Sequence, residues 1–158
     1  MLRLDNGDAF PILMLDTVGD GAVSLPRHLA GHYGVVLIYR GSWCPYCNAQ
    51  LSAFARAKEK LDELGIRAVA LSVDNKADAA TLIEKHRLNF PVGYGADADM
   101  IAASTGAYVN DSPRYLQSTG FVLDPDGRVI TAVYSSGAIG RLVAEDVIGF
   151  VRYVKSKA

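Results

Sequence analysis

The stretch GVVLIYRGSWCPYC, running from Gly34 to Cys47, decides the fold class of this chain. Its first half, Gly34–Tyr39, is apolar at consecutive positions and partly β-branched. That is the pattern of a strand buried on both faces in the middle of a sheet. Its second half sets Pro45 directly after Cys44, and proline is well suited to the first position of a helix. Beyond it Leu51, Phe54, Ala57, Leu61 and Leu64 recur at spacings of three and four. They predict one buried stripe on a helix, closed by Gly65 as a C-terminal glycine. A buried strand that runs straight into an amphipathic helix is the opening of an α/β unit.

Working outward, Ile66–Val73 predicts a second buried strand and Asp78–His86 a short helix carrying Ala79, Leu82, Ile83 and His86. Phe90–Val92 is extended around Pro91, and Asp97–Ser104 suits a small helix that starts on acidic residues. Thr119–Asp124, the turn DPDG and Arg128–Tyr134 predict an antiparallel hairpin. A last helix is predicted over about Ile139–Lys155, burying Leu142, Val143, Val147, Phe150, Val151 and Val154 and ending on basic residues. Upstream, Phe10–Leu25 predicts a β-hairpin turning at Asp16–Gly21. Alternating strands and helices imply parallel pairing, and the hairpins add antiparallel strands. The expectation is an α/β fold with a central mixed sheet, helices on both faces and an N-terminal β-hairpin. No repeat or linker interrupts it, so a single domain is expected over residues 1–158.

Composition excludes several functions. The 16 basic and 17 acidic residues leave a formal charge of −1, with no like-charge run that would make a face for nucleic acid. No apolar run approaches the roughly 20 residues of a membrane span. The opening MLRLDNGDAFPILMLD lacks the pattern of a secretory leader. The expected setting is cytoplasmic.

The two cysteines of the chain, Cys44 and Cys47, then need a chemical explanation. A bridge over so short a loop constrains the unfolded chain little, and in a reducing compartment a close pair is catalytic or metal-binding. Cys44 is predicted at the helix N-cap, where unpaired N–H groups and the helix dipole favour thiolate. Cys47 lies one turn later on the same face. A thiolate at a solvent-facing helix end attacks a disulfide or a peroxide, and its partner resolves the product to an internal bridge. Around the pair, Trp43 either shields one side or simply packs, Pro45 rigidifies the turn, and Arg40 either lends positive charge or points to solvent. The competing chemistry is zinc, because His28 and His32 stand four apart and with the cysteines would make a Cys2His2 set. The intervening strand should carry the cysteines to its far end, so no metal and no cofactor are expected. His86 is expected to be a satisfied core histidine.

The chain resembles the alkyl hydroperoxide reductase/thiol-specific antioxidant family, the peroxiredoxin-like branch of the thioredoxin fold. The likeness is carried by GDAFPILMLDTVGDGAVSLPRHLAGHYG, VVLIYRGSWCPYC, LSVDNKADAATLIEKHRLNFPVGYGADADMIAASTGAY and TGFVLDPDGRVI, in that order. The resemblance implies a thioredoxin-like three-layer sandwich and an oxidoreductase that cycles between the Cys44/Cys47 dithiol and its disulfide. It implies a thiol reductant of thioredoxin or glutathione type, a disulfide or peroxide substrate, and a monomer or homodimer. Typical members carry a proline and a threonine seven and three residues before the peroxide-attacking cysteine. Alignment on Cys47 puts Arg40 and Cys44 at those places; alignment on Cys44 puts Leu37 and Gly41 there. The family arginine's place falls near Ser118 and Thr119, and Arg114 is the nearest basic residue in sequence. Those departures favour disulfide exchange with slow peroxide reduction; the alternative is a thiol-dependent peroxidase with Cys47 attacking. Thr119 joins Arg40, Trp43 and Pro45 as an expected pocket residue, and Tyr33, Tyr46, Tyr94, Tyr108, Tyr115 and Tyr153 as candidates for an interface.

Overall fold

A computed structural model describes residues 3–158. In chain order it contains β1 (Leu13–Thr17), β2 (Gly21–Leu25), β3 (Tyr33–Ile38), α1 (Pro45–Arg56), α2 (Lys58–Glu63) and β4 (Ile66–Leu71). There follow α3 (Lys76–His86), β5 (Val92–Tyr94), α4 (Ala98–Thr105), β6 (Val109–Asn110), β7 (Tyr115–Leu116), β8 (Thr119–Leu123), β9 (Val129–Tyr134) and α5 (Ala144–Lys157). Seven strands form one mixed sheet in the order β2-β1-β5-β4-β3-β8-β9. The apolar run at Gly34–Tyr39 has the central position its composition demands. β3 pairs in parallel with β4, Val36 opposite Val69, and antiparallel with β8, Val36 opposite Phe121.

Because side chains alternate along a strand, β3 feeds two separate cores. Val35, Leu37 and Tyr39 join Leu51 and Phe54 of α1, Ala79 and Leu82 of α3, and Val147 and Val151 of α5 on one face. Val36 and Ile38 join Phe10, Leu29, Phe121 and Ile101 of α4 on the other. Helices therefore cover both faces, as the sequence predicts. No helix among the described residues is long and apolar enough to cross a membrane.

Three elements differ from expectation. The stripe from Leu51 to Leu64 is split between α1 and α2 at the non-helical Ala57, although Leu51, Phe54 and Leu61 remain buried. The paired two-residue strands β6 and β7 are too short to leave a periodic pattern. The consequential difference is the last helix, which begins at Ala144 rather than near Ile139. Gly140 takes φ +90, outside the helical region, and the Ser135 hydroxyl donates to the carbonyls of Gly137 and Ile139. Residues 135–143 are thus a loop that crosses the C-terminal end of β3. Within it Leu142 is buried while Val143 is 47% exposed. Leu142 sits against Gly120 of β8, where an added Cβ would lie 2.9 Å from the Leu142 Cβ.

Candidate active site

The chain leaves β3 at Ile38 and enters α1 at Pro45, and the turn between them is tied down by its polar groups. The Ser42 amide donates to Asp74 at 2.8 Å, and the Asn48 amide nitrogen donates to the Ser42 carbonyl at 3.0 Å. Cys44 is the N-cap of α1 with Pro45 at the first helical position, and its sulfur accepts the Cys47 N–H at 3.3 Å. This is the arrangement the sequence predicts for a thiolate at a helix start.

Solvent exposure differs from expectation: both sulfur-bearing residues are 0% exposed. They are free thiols covered by guanidinium groups. Arg40 turns inward rather than to solvent, with Nη1 at 3.7 Å from Cys44 Sγ. Its Nε donates to Gln117 at 3.0 Å and its Nη2 to the Tyr115 hydroxyl at 2.9 Å. Its backbone N–H also donates to Cys47 Sγ at 3.4 Å. From the loop before α5, Arg141 Nη2 lies 3.0 Å from Cys47 Sγ and 3.4 Å from Cys44 Sγ. A second strut, Gln50 Nε2 donating to the Leu142 carbonyl at 2.8 Å, holds that loop against α1.

The two thiols are pushed in opposite directions. Burial works against a charged Cys44, but hydrogen bonds from the Cys47 thiol and amide and from Arg40, with the charge of Arg141, outweigh it. Its pKa lies below the ordinary cysteine value. Burial and the hydrogen bond to Cys44 raise the pKa of Cys47, against the opposing pull of Arg141. Cys44 is therefore the thiol that ionises more readily and Cys47 the one that holds its proton longer. Burial also pushes the Tyr39 phenol and the Asp74 carboxyl upward.

Trp43 packs edge-on against Tyr115, ring centroids 4.9 Å apart, beneath the Arg40 guanidinium at 4.9 Å. It is 54% exposed and so forms a rim rather than core. Gly41 is what lets the indole lie there, since a Cβ at that position would stand 2.2 Å from Trp43 Nε1. Gly41→Ala is expected to drive the indole off Tyr115 and destabilise the fold by about 1–3 kcal/mol. Denaturant unfolding and the emission of this single tryptophan would read both effects; unchanged emission would contradict the packing.

Thr119 does not touch the sulfurs. It is buried at the start of β8, its hydroxyl donating to the Gln117 carbonyl at 3.2 Å, and so supports a partner of Arg40. Arg114 is remote from the dithiol and pairs with Asp99 and Asp111 on the surface. Arg141, Tyr115 and Gln117 were not legible as site residues. The only signal for Arg141 is the glycine-rich SSGAIGR before it, which marks a loop rather than a helix. His86 is not the satisfied core histidine expected: its Nε2 is buried without a hydrogen-bond partner among the described residues. It lines a cavity of about 140 Å³ with Ser42, Asn48 and Asp78.

The zinc alternative fails on position. His28 and His32 line a groove of about 500 Å³ with Gly65, Ile66 and Arg67, at the N-terminal end of β3 and β4. The cysteines follow the C-terminal end. Among the described residues, no three His, Cys, Asp or Glu converge to hold a metal.

With this geometry in view, the sequence model of the AhpC/TSA family matches residues 6–132. The chain belongs to that family. Among relatives of this AhpC/TSA protein, a peroxiredoxin of Treponema denticola is 29% identical over 154 residues, covering 95% of this chain and 72% of that protein. A peroxiredoxin of Methanothermobacter marburgensis is 28% identical over 147 residues, covering 89% of this chain and 68% of that one. Among solved structures, peroxidoxin BcpB from Mycobacterium tuberculosis superposes with a TM-score of 0.82 at 20% identity, covering 96% of this chain and 99% of that one. The fold is therefore the thioredoxin-like sandwich of the peroxiredoxins, and this AhpC/TSA member is a thiol-based oxidoreductase.

Proposed function

We propose that this chain is a two-cysteine, thiol-dependent peroxidase in which Cys44 attacks and Cys47 resolves. The observation that carries the reading is the convergence of two guanidiniums on one sulfur: Arg40 at 3.7 Å and Arg141 at 3.4 Å from Cys44 Sγ. The Cys44 thiolate attacks one peroxide oxygen, the O–O bond breaks, and Cys44 becomes a sulfenic acid. The leaving oxygen departs as an alcohol or water after taking a proton. Charge moves from sulfur to that oxygen during the step, and fixed cations in a water-poor site stabilise it. The Cys47 thiol then attacks the sulfenic sulfur, water leaves, and the Cys44–Cys47 disulfide forms. A thiol reductant of thioredoxin or glutathione type returns two electrons and two protons.

Two features weigh for peroxide over simple disulfide exchange. The guanidiniums make good the absence of an arginine near Ser118, and the sulfurs are buried more deeply than attack on a large disulfide favours. The reading departs from the alignment on Cys47, because Cys47 is the thiol whose pKa is raised.

The test is rapid mixing of the reduced protein with hydrogen peroxide and, separately, with a small uncharged disulfide. Peroxide is expected to oxidise the pair faster. Its rate should rise with pH as thiolate forms, then level off below the pKa of about 8.5 of a free cysteine. A rate that still climbs above that pH, or a preference for the disulfide, would sink this reading.

A further inference from the structure

Among the described residues, the cations at the dithiol pair with no carboxylate. Arg40 bonds to Gln117, Tyr115 and Cys44, and Arg141 to the Ala138 carbonyl and the two sulfurs. The ion pairs among the described residues are Lys58–Asp62, Arg114–Asp99 and Arg114–Asp111, all on the exposed surface. Asp74, the acid bonded to the active-site turn, accepts from Ser42 and makes no ion pair with either arginine. Among the described residues, the group both guanidiniums face is the Cys44 sulfur, and in the reduced chain its ionised form is the anion they favour.

Disulfide formation removes that anion. Two guanidiniums, both half-buried, are then left facing one sulfur pair with no negative partner among the described residues. Like charges in a partly desolvated site repel, and an anion entering the mouth relieves them both. The sulfurs are themselves buried, so an attacking thiol must come in past these groups. Guanidinium is also the side chain best shaped to grip a carboxylate, two N–H groups to two oxygens.

We infer that the oxidised site selects anions, and that its reductant is a small thiol bearing a carboxylate. The inference rests on the two-cysteine cycle proposed above and names what completes it. The carboxylate pairs with a guanidinium while the reductant's thiolate attacks one sulfur of the Cys44–Cys47 bridge. The S–S bond breaks and the other cysteine leaves as a thiolate. A second reductant molecule attacks the reductant sulfur of the mixed disulfide, freeing the protein cysteine and forming the reductant's own disulfide. Two thiols are oxidised, one protein disulfide is reduced, and two protons go to the dithiol.

The test uses the intact chain, oxidised with peroxide until no free thiol can be counted. It is mixed rapidly with 3-mercaptopropionate, 2-mercaptoethanol or cysteamine at equal thiolate concentration. Each rate is divided by that for the same thiol on hydroxyethyl disulfide, which removes intrinsic nucleophilicity. The expected order is anionic, neutral, cationic, with about tenfold per step at low salt, shrinking as ionic strength shortens the reach of charge. Arg141→Gln should compress the spread and Arg141→Lys should keep most of it. Equal or reversed normalised rates, in a protein whose disulfide has formed, would overturn the anion selection and leave the dithiol cycle standing. If peroxide treatment leaves both thiols countable, the cycle itself fails and the inference with it.

Discussion

Cys44→Ser is expected to abolish peroxide consumption, with a fall of about a thousandfold or more in the rate of peroxide-driven oxidation, because a hydroxyl at neutral pH is a poor nucleophile without a base. The fold should survive. Serine is among the preferred N-cap residues, so the variant keeps an acceptor for the Cys47 N–H that Cys44 Sγ now receives at 3.3 Å. Cys47→Ser should behave differently. Cys44 retains Arg40 and Arg141 and should still be oxidised once per chain. Turnover should then stop, since no thiol stands one helical turn away to expel water. Peroxide loss followed by absorbance, at one and at many equivalents, separates the single event from the cycle. Equal damage from both substitutions at one equivalent would mean the thiols do not divide the labour.

Arg141→Gln should slow the first oxidation of Cys44 by roughly 100-fold, the typical loss when one fixed donor to a developing anion is removed. Glutamine preserves polarity and much of the bulk but not the charge. The sign of the pH effect follows from the same contacts. Arg141 favours the thiolate form of Cys44, so its removal raises the Cys44 pKa and shifts the pH–rate curve to higher pH. Part of the loss should therefore be recovered at alkaline pH, and Arg141→Lys should recover part of it at neutral pH. A neutralised Arg141 with an unchanged rate and an unshifted curve would show that the 3.0 and 3.4 Å contacts to sulfur carry no catalytic weight. Gln50→Leu is a useful companion, because it removes the 2.8 Å bond to the Leu142 carbonyl without touching a sulfur.

Much of this was legible in the residues alone. A doubly buried strand has to be central, and Gly34–Tyr39 is. Cysteine followed by proline at a strand–helix junction has to sit near an N-cap, and Cys44 does. What escaped was set by contacts far apart in sequence. Arg141 stands 97 positions from Cys44, and the apolar spacing of Leu142, Val143 and Val147 imitated a helix that Gly140 interrupts. Tyr115 and Gln117 belong to a segment too short to show periodicity, yet they aim Arg40 at the sulfur. The burial of the pair could not be read either, since it depends on which side chains fold over the turn. A cation does reach the sulfurs, but from the loop before the last helix, far in sequence from Ser118.

The most direct test is to find which sulfur receives the oxygen. Cys47→Ser and Cys44→Ser would each be reduced, mixed with one equivalent of hydrogen peroxide, trapped within a second by a sulfenic-acid-specific reagent, and mapped by peptide mass. The account predicts rapid, near-stoichiometric label on Cys44 in Cys47→Ser and almost none on Cys47 in Cys44→Ser. Label on Cys47 at a comparable rate would contradict it, and would return the attacking role to the cysteine that the alignment on Cys47 favoured.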